Sequence, residues 1–209
     1  MKPLTFFNRL TCALKSGVIV TILTSAVAAD ALSSELNRLL ATGHPIDIIA
    51  ATLSAHSMVD LEHQVQGDSS IAVVMGMAYE AGYGVPRDVT RARSYYKQSC
   101  DSGHPRACFQ IGCLYLDGIG VEQNFGKANH YFRRACDANN ALACFNLAHL
   151  YREGLGVPRD QTRAMALFEQ ACSGGDPKAC TNLGYMHAAG EGAKVDYSVA
   201  EQLFDKACK

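Results

Sequence analysis

The chain has 209 residues, of which 48% are hydrophobic and 19% charged, with a formal net charge of −1. That is the composition of a globular protein, and it lacks the basic excess a nucleic-acid surface needs. With nine cysteines present, the redox compartment becomes the first question the composition raises.

The N-terminus answers it. Lys2, Arg9 and Lys15 precede the apolar run Gly17 to Leu23, and Ala26-Val27-Ala28 supplies the small residues of a cleavage site, so residues 1–28 read as a secretory signal peptide. A membrane-spanning anchor needs about 20 apolar residues, more than this run offers. A lipoprotein signal is disfavoured because Cys12 precedes the run. Cleavage removes three positive charges and no acidic ones, leaving a mature chain of net charge −4. The expected location is the periplasm or the extracellular medium, with no membrane attachment after cleavage. Residues 29–67 carry helical spacing at Leu32, Leu36, Leu39 and Leu40, and again from Ile46 to Gln66, with Gly43-His44-Pro45 as a break between them. They are expected to form two capping helices over the exposed end of a repeat array that begins at residue 68.

Residues 68–209 form that array. Cys100, Cys136, Cys172 and Cys208 stand 36 residues apart, as do Gly82, Gly118, Gly154 and Gly190, and likewise Gly84, Gly120, Gly156 and Gly192. In the third unit, Ala143 to Tyr151 has helical apolar spacing and stops at Glu153-Gly154-Leu155-Gly156, where glycine can close a helix in the left-handed conformation. Asp160 then reads as the cap of a second helix over Gln161 to Ala171, and the equivalent positions are Asp88, Asn124 and Asp196, all good capping residues. The predicted units begin near Asp68, His104, Asn140 and Asp176. Each is a helix, a glycine turn, a second helix and a short link, which makes the fold all-α. The Gly-x-Gly pairs are not phosphate loops: those lie between a strand and a helix, whereas every pair here lies between two helices.

In an oxidising compartment, regularly spaced cysteines form a disulfide framework. Cys100/Cys108, Cys136/Cys144 and Cys172/Cys180 each place one thiol in the last turn of a second helix and the other in the first turn of the next unit. The seven intervening residues can reverse the chain and bring the Cα atoms to about 5.5 Å. Structural zinc prefers thiolates two to four residues apart, and no zinc motif exists among the histidines, so neither a metal nor a cofactor is expected. The first junction carries Gln64 and Ala72 in place of a cysteine pair and should lack a bridge. Two thiols remain outside these pairs. Cys113 reads as a small buried hydrophobe, and Cys208, the more exposed, is open to an intermolecular disulfide.

The stretches Ile111 to Val121 (Ile-Gly-Cys-Leu-Tyr-Leu-Asp-Gly-Ile-Gly-Val) and Leu183 to Gly192 (Leu-Gly-Tyr-Met-His-Ala-Ala-Gly-Glu-Gly) resemble Sel-1-like repeats, relatives of the tetratricopeptide repeat. The cysteine spacing is similar to that of the cysteine-rich secreted bacterial members. The resemblance covers about residues 60–209 and implies a right-handed α-solenoid of four units with a concave groove and a scaffold or adaptor role. For some cysteine-rich members it also implies β-lactam binding or slow hydrolysis. Ser94-Tyr95-Tyr96-Lys97 fits the Ser-x-x-Lys pattern of serine β-lactamases, but the Ser-Asp-Asn and Lys-Thr-Gly partners are absent. Ser94 also aligns with His130, Ala166 and Gln202, on a variable face.

A groove lined by the first helices is the expected functional surface. By analogy with tetratricopeptide units, the inward positions are Val73, Met77 and Glu80; Phe109, Cys113 and Asp117; Phe145, His149, Arg152 and Glu153; and Thr181 and Tyr185. Gln110, Asn146 and Asn182 recur beside them and suit hydrogen bonding to a peptide backbone. The expected ligand is an extended peptide or protein segment held by Phe109, Phe145, Asn146, His149, Arg152, Asn182 and Tyr185. Packing between units is an equal alternative for Phe109 and Phe145, as is a solvated or packing role for the amides. Tyr79, Tyr115 and Tyr151 recur where a helix pair meets and read as core, with His187 a polar substitute.

Overall fold

The computed structural model describes residues 68–208, together with Ser34, Leu61 and Val65. The signal peptide and capping helices expected over 1–28 and 29–67 lie outside the described residues, as does Gln64; Leu61 and Val65 are buried in the core. Among the described residues, eight α-helices form four antiparallel pairs: α1 (Ser69–Ala81) with α2 (Val89–Asp101), α3 (Pro105–Asp117) with α4 (Phe125–Asp137), α5 (Ala141–Glu153) with α6 (Gln161–Ser173), and α7 (Pro177–Ala189) with α8 (Tyr197–Ala207). The extensive contacts join helices adjacent in sequence. The architecture is a right-handed α-solenoid, with no strand among the described residues.

Side chains define where seven of the eight described helices begin. Asp88, Asn124, Asp160 and Asp196 each accept a hydrogen bond from a first-turn N–H of a second helix, as their recurrence predicts. Asp68, Asn140 and Asp176 do the same for first helices. These caps set the helix starts, so α5 begins two residues ahead of the apolar run that announces it, at Ala141.

The turn inside each unit is closed by the backbone. In the third unit Gly154 takes φ 72°, and its N–H donates to the Leu150 carbonyl. The Asp160 N–H donates back to the Tyr151 carbonyl at 2.9 Å. Arg87, Gln123 and Arg159 each donate a side-chain N–H to a last-turn carbonyl, those of Glu80, Leu116 and Arg152. The helix C-termini thus have partners that their own helices cannot supply.

Within a pair, the second helix lays an aromatic ring on a small residue of the first. Tyr96, Phe132 and Phe168 are all 0% exposed. A Cβ placed on Gly76 would come within 2.5 Å of the Tyr96 ring, one on Gly112 within 2.5 Å of Phe132, and one on Gly184 within 2.7 Å of Phe204. The fourth member of this register is the fully buried Ala148. Around this contact Tyr79 and Tyr151 are buried and Tyr115 half-buried. A cation sits over each of these three rings: Arg91, Lys127 and Arg163.

Between pairs, three devices recur. Disulfides join Cys100 to Cys108, Cys136 to Cys144 and Cys172 to Cys180, each with Cα atoms 4.7 Å apart. Each closes a short loop and contributes about 2–3 kcal/mol on the chain-entropy view. The second glycine of each later turn meets the start of the preceding second helix: Gly120 meets Val89, Gly156 meets Phe125, and Gly192 meets the Gln161 carbonyl. Arg134 and Gln170 donate to the carbonyls of Cys100 and Cys136 at 2.7 and 3.2 Å. Ser99, buried where later units have Ala135 and Ala171, donates instead to the Ser69 carbonyl at 2.6 Å.

His104 breaks the capping pattern. It occupies the cap of α3 without a side-chain hydrogen bond, and its buried Nδ1 has no partner. Burial, reinforced by Arg106 and opposed by Asp68, holds its pKa below the ordinary value. The folded state therefore disfavours the imidazolium, and the associated stability is present above the unfolded pKa of about 6.5 and lost as pH falls from there through the folded value. Replacing His104 with asparagine, the residue that caps α5, is expected to raise stability by about 0.5–2 kcal/mol. It should also flatten the fall in thermal midpoint between about pH 7.5 and about pH 5. Thermal unfolding followed by circular dichroism across that range checks both.

Candidate functional site

The structure divides the predicted ligand-binding residues into two kinds. Phe109 and Phe145 are half-buried and pack on the core aromatic of their own unit, with ring centroids 5.9 Å from Phe132 and 5.7 Å from Phe168. His149 completes that cluster, 4.6 Å from Phe145 and 5.1 Å from Phe168. Burial, followed by the Arg152 charge and opposed by Glu153, lowers the His149 pKa and so favours the neutral imidazole. These three side chains are packing elements that show one edge to solvent. Val73 and Met77, expected on the open face, are buried, because α1 is enclosed on all sides from Ser70 to Tyr79.

The polar positions differ from one junction to the next. Between the first and second units, Gln110 donates to the Tyr96 hydroxyl at 3.4 Å, and that hydroxyl donates to Glu80 at 2.7 Å. Burial, with the Glu80 charge, pushes the Tyr96 pKa well above its ordinary value and keeps it a donor. Between the third and fourth units, Arg152 donates from Nη1 to the Asn182 side-chain oxygen at 3.0 Å and from Nε to Glu153 at 2.9 Å. Asn182 returns its own N–H to the Lys178 carbonyl at 2.8 Å. Between the second and third units, the same register places Phe132 and Leu116 where the neighbouring junctions have Tyr96 and Arg152. Neither offers a hydrogen bond, and the half-buried amide of Asn146 makes none. Of the three recurring amides, Asn146 is the one whose side chain makes no hydrogen bond to the described residues.

Tyr185 is the most exposed of the predicted set at 62%, its ring lying edge-on to Phe204 at 5.1 Å. It borders an open cleft of about 610 Å³ lined by Arg152, Glu153, Arg159, Tyr185, Met186, Ala188, Ala189 and Glu191. Arg159, Glu191 and the two alanines lie outside the set that the repeat register predicts. A signal for them exists: Ala188 and Ala189 replace Leu116-Asp117 and Arg152-Glu153 of the two preceding units, so bulk is missing at that step of the repeat.

Ser94 and Lys97 of the Ser-x-x-Lys pattern each have another partner. Ser94 donates its hydroxyl proton to the Arg91 carbonyl at 2.7 Å, and Lys97 forms an ion pair with Asp101 at 2.6 Å. The hydrogen bond to Asp101, together with its charge, raises the Lys97 pKa. A lysine that activates a serine needs the opposite shift. Both side chains lie exposed on α2. No group of three or more His, Cys, Asp or Glu among the described residues is placed to hold a metal. Cys113 is half-buried on α3 and Cys208 is exposed just beyond α8; neither is in a disulfide.

Comparison with known proteins places the chain among repeat proteins. The family model "Sel1 repeat" matches residues 72–104, 105–140, 141–176 and 177–209. No curated protein matches the sequence. Among solved structures, the chain is similar to c5321, described as a protective antigen of uropathogenic Escherichia coli with an SLR fold. The two are 25% identical with a TM-score of 0.71, over 73% of this chain and 33% of that one; this chain therefore spans about a third of that protein's length. A Sel1 repeat protein from Oxalobacter formigenes is 24% identical with a TM-score of 0.67, over 88% of this chain and 69% of that one. The cysteine rich protein B of Helicobacter pylori is 29% identical with a TM-score of 0.47, over 58% and 87% of the two chains.

The exposure of the two thiols generates a direct check on the register. In the native, non-reduced protein, maleimide labelling is expected to modify Cys208 rapidly and Cys113 at least about ten times more slowly. Mass spectrometry of the digest should recover the three eight-residue bridges intact. Fast labelling at any of the six bridged positions contradicts the pairing.

Proposed function

Because the chain belongs to the Sel1 repeat family, whose members generally serve as protein-interaction scaffolds, we propose that it is an exported scaffold. In this reading it binds an extended segment of another protein on the face built by its first helices. The observation that carries the proposal is the uneven use of a repeated surface. Gln110 and Asn182 are tied into internal hydrogen bonds, whereas Asn146 and the exposed ring of Tyr185 are not consumed by the fold. An extended polypeptide presents alternating N–H and C=O groups, and a side-chain amide supplies both complements. Tyrosine supplies contact area at low entropic cost. The three bridges favour export, since disulfides persist in oxidising compartments. They also fix the curvature of the array, so little ordering free energy is lost when a partner docks.

Binding must be tested with variants that spare the core. Phe145 is unsuitable, because it packs against Phe168 and His149. The double variant Asn146→Ala with Tyr185→Ala is expected to leave the thermal midpoint within about 3 °C of wild type. It should weaken a partner captured by crosslinking in the native envelope or secreted fraction by about 1–3 kcal/mol. Unchanged affinity in the folded double variant moves the binding surface off this face.

A further inference from the structure

Tyr151, near the end of α5, is bordered by one arginine from α4 and one from α6. The tyrosine itself is only 5% exposed. Arg133 donates from Nη2 to the Tyr151 hydroxyl at 2.6 Å and to the Asn129 side-chain oxygen at 3.2 Å. Arg163 places its guanidinium carbon 4.6 Å from the centre of the same ring. Asn129 is as buried as the tyrosine, and its Nδ2, on the amide that meets Arg133, has no partner. The hydroxyl proton of Tyr151, the Nε and Nη1 of Arg133 and the whole guanidinium of Arg163 also find no acceptor among the described residues. Buried donors without acceptors are costly and rare, so what this group lacks is an acceptor.

The first unit shows that the repeat does not impose this imbalance. There Lys97, in the register of Arg133, pairs with Asp101 one turn on at 2.6 Å. Arg91, in the register of Arg163, pairs with Asp88 at 3.7 Å. The equivalent carboxylates exist in the later units as Asp137 and Asp160, yet neither Arg133 nor Arg163 forms an ion pair among the described residues. Arg133 turns to Tyr151 and Asn129 instead. Two exposed arginines thus converge on one buried phenol with their charges uncompensated.

We infer that this corner binds a phosphate group, seated between Arg133 and Arg163 against the Tyr151 hydroxyl. A carboxylate offers two oxygens in one plane and suits a single guanidinium fork. Donors arriving from three helices call for acceptors pointing in several directions, and two arginines call for more than one negative charge. A phosphate monoester brings three strong acceptor oxygens and a charge of about −1.5 to −2 near neutral pH. Asn129 is a positioning residue, whose oxygen helps to hold Arg133 on the phenol. The site shares no residue with the surface proposed for protein binding. Its chemistry is common to free inorganic phosphate and to the monoester headgroup of an acidic lipid.

The intact disulfide-bonded protein, titrated with inorganic phosphate, should show a saturable shift of the Asn129 side-chain amide by nuclear magnetic resonance. Its thermal midpoint should rise with phosphate concentration. Arg133→Gln and Arg163→Gln should each weaken binding at least about tenfold, and Tyr151→Phe, which keeps the ring, at least about threefold. Lys97→Gln removes the same charge in the register of Arg133 one unit earlier and should leave affinity within about twofold. Vesicles of phosphatidylcholine with and without phosphatidic acid separate the two sources. Sedimentation with the acidic vesicles that inorganic phosphate displaces and Arg133→Gln abolishes assigns the lipid headgroup. Binding of inorganic phosphate without sedimentation assigns the free anion. Saturable binding of neither probe overturns the inference, as does equal weakening by Lys97→Gln, which would report general charge and no site.

Discussion

The close contact of one aromatic ring with one glycine, found in three of the four described helix pairs, is the constraint on which the rest of this structure depends. Gly76, Gly112 and Gly184 leave no room for a Cβ beneath Tyr96, Phe132 and Phe204. The third pair accommodates Ala148 in the same register, both it and Phe168 being fully buried. Glycine in a helix interior is unfavourable by about 0.5–1 kcal/mol relative to alanine. It recurs here because the buried ring and its dispersion contacts outweigh that loss. Pairs drawn this close need a short turn, and the two glycines with their returning N–H bond provide it. Adjacent pairs then come near enough for the eight-residue cysteine bridge.

A scaffold this regular makes departures from the period informative. Cysteine, cap, turn glycine and core ring repeat because each unit has the same mechanical task. The positions that change are those facing solvent along the first helices. Junction by junction, the same register holds a Tyr–Glu–Gln network, then an amide over apolar neighbours, then an Arg–Asn pair beside a cleft opened by two alanines. The fold tolerates all three, so the differences are available for recognition. Disulfides limit how far one junction can adjust to another, which keeps the spacing between Asn146 and the cleft fixed.

Much of the architecture was legible because it is periodic. Glycines, caps and cysteines at one step specify helix, turn, helix and bridge without knowledge of tertiary contacts. The site was only partly legible. Arg152 and Tyr185 were visible by register, but Phe145 and Phe109 look the same in sequence whether they grip a ligand or rest on a core ring. Val73 and Met77 lie in a helix whose every face is enclosed, and a pattern that assumes one open side per helix cannot show this. Asn146, Asn182 and Gln110 look equivalent until their partners are known, and the partners of Gln110 and Asn182 include residues of the preceding unit, Tyr96 and Arg152. The contribution of Arg159 depends on a side chain returning to a helix end, a local geometry that residue spacing does not encode.

The claim that glycine makes room for the ring is tested most directly by a double-mutant cycle on Gly112 and Phe132, measured by equilibrium urea denaturation. With Phe132 present, Gly112→Ala should destabilise the protein, since overpacking by one methyl typically costs about 1–3 kcal/mol. In the Phe132→Leu background the ring is gone, and the same substitution should be neutral or stabilising by up to about 1 kcal/mol through helix propensity. The account predicts a coupling energy of at least about 1 kcal/mol between the two sites. An identical effect of Gly112→Ala in both backgrounds would contradict it.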